Sequence, residues 1–174
     1  MSAKAKSRLT ILKWLIILMI LCLFNIPLPV SVNRKALIVT QSDKNTTTSC
    51  VLRMKGYYHI NLFTADKFTG GMSISTLDEP ALPDTFTFPL AMKENDGSHI
   101  EYSSINGKSY SPGYAFGDFY AGRFFKDIII LIYEHPENDS SSASFDERTG
   151  KFLVANVTSY EEAYKKLNKY VLEK

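Results

Sequence analysis

No acidic residue precedes Asp43, while Lys4, Lys6, Arg8 and Lys13 all do. Cysteine is almost missing: there are two, and Cys22 falls inside the apolar leader, so Cys50 stands alone in the rest of the chain. That excludes an intrachain disulfide, and the domain must be held by its core. Also missing are a Gly-x-Ser-x-Gly elbow, a His-Glu-x-x-His pair, a Cys-x-x-Cys step and a phosphate-cradling Gly-x-x-x-x-Gly-Lys loop. Each of these supplies a specific catalytic or cofactor geometry when present. Without them no familiar enzyme class is indicated, and nothing calls for a cofactor. The basic residues form no stripe, which argues against nucleic acid as a partner.

What is present begins with eleven consecutive apolar residues, Trp14 to Phe24, directly after the basic start. A secretory signal needs a basic start, an apolar stretch of about 7 to 15 residues and a small-residue cleavage step. The third feature is poor, because Asn25 to Val32 (NIPLPVSV) offers no Ala-x-Ala-like sequence. A spanning helix needs about 20 mainly apolar residues, which Trp14 to Val32 supplies if Asn25, Pro27 and Pro29 sit at the outer interface. The expectation is therefore an uncleaved signal-anchor, N-terminus inside and C-terminal domain outside, with secretion after cleavage as the alternative. Lipidation at Cys22 is disfavoured, because Leu21 stands where a small residue is needed. The leader holds four of the twenty basic residues, leaving sixteen against eighteen acids from Asn33 onward, so the domain is near −2.

The expected division is residues 1–32 as basic tail and transmembrane segment, 33–50 as polar linker and 51–174 as one extracytoplasmic β-rich domain. Ala36 to Thr40 makes a short strand, and Gln41 to Ser49 (QSDKNTTTS) lacks any period. Val51 to Phe63 and Phe68 to Ile74 read as a hairpin, with Gly70 and Gly71 marking a bulge or a close backbone approach. Leu77 to Asp84 is a proline-marked loop, and Phe86, Phe88 and Leu90 alternate beyond it. His99 to Ile105 alternates again, and Asn106-Gly107 is the strongest hairpin turn signal. The returning strand runs from Lys108 to Ser111, closed by Pro112-Gly113. Ile128 to Tyr133 (IIILIY) reads as a strand covered on both faces, and Lys151 to Val157 as the last strand. Ser159 with Glu162 forms a capping box ahead of Ala163, Tyr164, Leu167, Tyr170 and Val171 at helical spacing. The fold class is thus α+β: a mostly antiparallel β-sheet with one C-terminal amphipathic helix packed on it, preceded by an N-terminal transmembrane helix.

The segments FTGGMSI (Phe68 to Ile74) and FLVANVTSYEEAYKKL (Phe152 to Leu167) resemble parts of small uncharacterised exported or membrane-anchored proteins of Gram-positive bacteria. The resemblance covers about a fifth of the chain through short patterns. It implies an extracytoplasmic β-rich domain and brings no activity.

Among candidate sites, Tyr114 to Phe125 (YAFGDFYAGRFF) is the richest in aromatics. Tyr114, Phe116, Phe119 and Tyr120 are the candidate ligand or partner surface, on which sugar rings or a protein would stack. The competing account places about half of these rings in the core. His59, His99 and His135 lack the short spacing of metal ligands, so no metal site is assigned. Glu134 to Glu147 lacks the calcium-loop ladder. Sequons start at Asn45, Asn138 and Asn156. The leading expectation is a membrane-anchored binding module with a protein or cell-envelope partner, more consistent with a non-enzyme. The alternatives are a small envelope-acting hydrolase or transferase with a dispersed site, and an accessory subunit of a membrane complex.

Overall fold

The computed structural model describes residues 3–61, 63–75, 89–93, 96–105, 108–134 and 143–172, with backbone alone at 3–7, 20–25, 44–45, 103–105, 108–113 and 172. Helix α1 spans Ala3–Asn25. Its residues are mostly good helix formers, and Pro27 ends it by driving the preceding residue out of the helical region. Among the described residues, no helix is long and apolar enough to cross a membrane. The expected transmembrane anchor, the single-pass topology and the membrane as partner through this helix are corrected accordingly. The uninterrupted apolar run Trp14–Phe24 rises only about 17 Å at helical pitch, against a hydrocarbon core of about 30 Å. The residues needed to lengthen it enter the sheet instead, since β1 begins at Leu28.

Eight strands form one antiparallel sheet in the order β4-β3-β2-β1-β8-β7-β6-β5. They are β1 (Leu28–Thr40), β2 (Asp43–His59), β3 (Lys67–Ile74), β4 (Leu90–Ala91), β5 (Ser98–Ile105), β6 (Lys108–Ala121), β7 (Ile128–Ile132) and β8 (Lys151–Ala155). The sheet curls into a near-barrel. Its two outer strands meet where the Ala91 N–H donates to Ser98 Oγ at 2.7 Å and Ser98 Oγ donates to Ala91 O at 3.2 Å.

Residues 33–50, expected as a linker, lie in β1 and β2, which pair from Leu28↔Tyr58 to Thr40↔Asp43. Polarity had argued for a tether, yet threonine is β-branched and suits a pleated strand even where it is exposed on both faces. The β2–β3 hairpin forms as its alternation predicts. Gly56 faces Gly70 across it, and a Cβ on Gly56 would lie 2.0 Å from Thr69 O. The Asn106-Gly107 turn, the Leu77–Asp84 loop and the Phe86–Phe88 segment lie outside the described residues, although Ile105 and Lys108 do pair. Pro112-Gly113 does not end its strand. The register between Tyr102↔Tyr114 and Ser104↔Ser109 absorbs extra residues, so β6 carries the pair in a bulge and continues.

Two apolar layers share the sheet. Inside the curl lie Tyr58, Phe68, Tyr102, Phe116 and Phe119, all at most 1% exposed, each worth about 1.5 to 3 kcal/mol of burial. Outside, Leu37, Val39, Ile129, Leu131, Phe152 and Val154 are covered by helix α2 (Tyr160–Leu167) and the π-helical turn Asn168–Leu172 that follows. All five residues of β7 are buried, as its unbroken apolar run requires. The α2 cap is shifted from the expected box. Ser159 Oγ accepts from the Glu162 N–H, but Glu162 Oε2 accepts from the N–H of Thr158 at 2.9 Å, not from Ser159 itself.

Candidate functional site

One end of the barrel is unlike the rest. β1 starts there, with Leu28 opposite Tyr58, so α1 leaves the sheet at the same place where β2 finishes. The chain after β2 is tied back by Asp66, which is 1% exposed. Its Oδ1 accepts from the Asn61 N–H at 2.8 Å, and Asn61 Nδ2 donates to the carbonyls of His59 and Ala65. Its Oδ2 accepts from the Tyr58 hydroxyl at 2.8 Å and lies 3.5 Å from Arg123 Nε. The Tyr58 oxygen in turn accepts from the Phe124 N–H at 3.0 Å. A hydroxyl, a carboxylate and a backbone amide thereby stitch the β2–β3 loop to the β6–β7 turn. A buried carboxylate requires such partners, since an unpaired one would neutralise or unfold its surroundings. Burial raises the Tyr58 hydroxyl to about 12, the Phe124 N–H pulling the other way and the Asp66 carboxylate adding to the rise.

The β6–β7 turn is strained. Phe124 and Phe125 both sit in the left-handed region, at φ 55° and 57°, where bulky residues are rare and each costs on the order of 1 to 3 kcal/mol. The strain sends one ring inward and one outward. Phe125 is 4% exposed and meets Tyr58 and Phe68 edge-on. Phe124 stacks on Tyr58 at 5.1 Å, yet remains 62% exposed. Phe63 is 96% exposed in the neighbouring loop, and Arg123 is also exposed. Aromatic rings and arginine at a surface are among the residue types enriched at protein interfaces.

Every exposed large hydrophobic side chain among the described residues belongs to this end or to α1. On the helix these are Leu9, Ile11, Leu12 and Trp14 through Met19; at the barrel end they are Ile26, Leu28, Tyr57, Phe63 and Phe124. On α1 the exposure runs from 45% at Ile17 to 68% at Trp14, so over the described side chains, residues 8–19, no side of the helix is covered by the barrel.

The aromatic residues picked from the sequence lie elsewhere. Phe116 and Phe119 fill the barrel interior, Tyr114 is half-buried against them, and Tyr120 belongs to the outer layer. The bulge at Ile100/Glu101 explains how Phe116 and Phe119, three apart, both point inward. Of the histidines, His59 Nε2 is 3.1 Å from Thr69 Oγ1. His99 Nδ1 is 3.5 Å from Asp118 Oδ1, with its ring 5.6 Å from that of Tyr133. Burial, then the hydrogen bond to Asp118, pushes the Tyr133 hydroxyl well above its ordinary range, which holds it protonated. His135 lies outside the described residues. Among the described residues, no group of three His, Cys, Asp or Glu side chains is placed to hold a metal ion. Asp66, Phe63 and Arg123 were not singled out by the sequence pattern, and Phe124 only as one ring of the stretch Tyr114 to Phe125, because their common position depends on barrel closure.

Comparison with protein-family models, curated proteins and solved structures finds no match to this chain.

Proposed function

We propose that this chain is an accessory subunit of a larger complex, docking into a partner protein through α1 and the aromatic end of its barrel. The observation that carries this reading is the confinement of all fourteen exposed large hydrophobic side chains among the described residues to that one region. An apolar surface so concentrated marks an interaction site, and a helix apolar on all sides is one that must be surrounded. Covering the nine large apolar side chains described on α1, each about half exposed, gives on the order of 10 kcal/mol of gross burial. That is comparable to the 4 to 15 kcal/mol cost of association, so the barrel-end contacts decide whether the complex is stable. Side-by-side parallel copies of α1 would bring Lys4, Lys6, Arg8 and Lys13 against one another, which disfavours a second copy and favours a partner with acidic residues at the mouth of its groove.

The test is photo-crosslinking in living cells. A photoreactive residue at Trp14, Phe63 or Phe124 is expected to give the same discrete protein adduct. One at Glu147, beside the far end of β8, is expected to give none. Lipid-only adducts from Trp14, or equal labelling from both ends, would overturn the proposal.

A further inference from the structure

A second surface lies on the outer wall of the sheet, where the chain passes from β8 into α2 and where Lys166 reaches Asp127 at the foot of the β6–β7 turn. Two cavities, of about 500 Å³ and 430 Å³, adjoin there and share Val157. The first is walled by Lys165, Lys166 and Lys169 of α2 and its extension, with Asn156 and Glu162. The second runs over β1 and β2, past Lys35, Leu37, Ser49, Val51 and Ser75. They form the two halves of one groove with an apolar floor, Val157, Leu37 and Val51, and lysines at both ends.

Charge in the groove is one-sided. Four lysines line it with one carboxylate, Glu162, which is already engaged by the N–H and hydroxyl of Thr158, and a second carboxylate, Asp127, pairs with Lys166 from outside the lining. Lys166 is held in place, its Nζ 2.8 Å from Asp127 Oδ1 and donating to Ala155 O at 3.3 Å. Lys169 lies over the Tyr170 ring at 4.8 Å. Lys35 and Lys165 are exposed, and among the described residues neither takes part in an ion pair. Ammonium groups without counter-charge beside an apolar floor are matched by a ligand that alternates negative and apolar groups. A lone phosphate would meet one end and leave the floor empty.

We propose that this groove binds an extended, acidic peptide segment of a partner protein, its carboxylates on Lys35 and Lys165 and its apolar side chains over Val157, Leu37 and Val51. This site shares no lining residue with the apolar surface of α1 and the barrel end and does not rest on the docking reading given for it.

The experiment uses the full chain and a fluorescein-labelled peptide alternating Glu and Leu, followed by anisotropy. Saturable binding is expected, weakening with salt and falling by about tenfold in the K35E/K165E double variant. K35Q/K165Q should fall between the two. Both lysines are exposed, so the urea midpoint of the variants should match that of the parent. Binding unchanged in K35E/K165E, equal binding of a Lys-Leu peptide, or displacement by millimolar inorganic phosphate would each overturn the proposal.

Discussion

Removing one oxygen should loosen the barrel end more than any surface change of similar size. In Tyr58→Phe the ring stays in the core, but the Phe124 N–H loses its acceptor and Asp66 Oδ2 loses its closest donor. A hydrogen bond to a charged group is worth about 1.5 to 3 kcal/mol, and an orphaned buried amide costs about 1 to 3 kcal/mol. Water entering at the exposed side of Phe124 recovers part of that, leaving a loss of about 2 to 4 kcal/mol. For a chain of this size each kcal/mol moves the melting point by about 2 to 4 °C, so the midpoint should fall by about 5 to 15 °C. Urea titration followed by far-UV circular dichroism measures the loss, and Tyr57→Phe, on an exposed ring, serves as the control. The alkaline limb gives a second signature. The folded Tyr58 pKa is raised to about 12, so the neutral hydroxyl contributes stability that is complete below the unfolded value of about 10 and is lost as pH rises toward 12. The gap between parent and Tyr58→Phe should close over that window. A variant within about 0.5 kcal/mol of the parent at neutral pH would show that the Tyr58–Asp66–Phe124 link is not what holds the barrel end together.

Phe124→Gly relieves a left-handed residue while losing a ring stacked on Tyr58, so stability should stay within about 1 kcal/mol of the parent. Crosslinking from Phe63 should nevertheless fall sharply if the outward ring is an interface residue. In Gly56→Ala the new methyl would sit 2.0 Å from Thr69 O, and thermal melts should show a loss of about 3 kcal/mol as the β2–β3 pairing is forced apart. Asp127 is buried enough to raise its carboxyl, but the hydrogen bonds from Lys166 and Tyr170 outweigh this and hold it below the ordinary range. Its contribution is therefore present above the unfolded pKa of about 3.9 and disappears as pH falls through the lower folded value. Asp127→Asn should cost about 1 to 2 kcal/mol in neutral urea melts and nothing in strong acid.

The strands most readable in the sequence were those whose side-chain pattern alone fixes their environment. Ile128–Ile132 has nothing polar to offer solvent, and it is buried on both faces. Ser159 and Glu162 announced the start of α2 because capping is local chemistry. Residues 33–50 were harder. Their threonines and serines look like a tether until β1 is available as a partner, and pairing is a long-range fact. The leader misled in another way: its composition suits a lipid core, but Leu28–Val32, needed to complete a span, form strand ladder with Met54–Tyr58. At the candidate site the sequence offered the aromatic stretch 114–125 but not which rings face out. A bulge and two left-handed phenylalanines decide that, and neither has a residue signature as sharp as Asn-Gly. Phe63, Asp66 and Arg123 come from separate segments, so no local window contains the group they form.

Only Ile26 and Pro27 separate the last residue of α1 from the first of β1. Two residues reach about 7 Å at most, and a proline among them removes one of the few rotations available. Whatever grips the helix therefore holds the barrel on a short leash, with Phe63 and Phe124 delivered to the same neighbour. The coupling also runs backwards: a pull on the helix arrives first at the Leu28–Tyr58 rung, one hydroxyl away from Asp66.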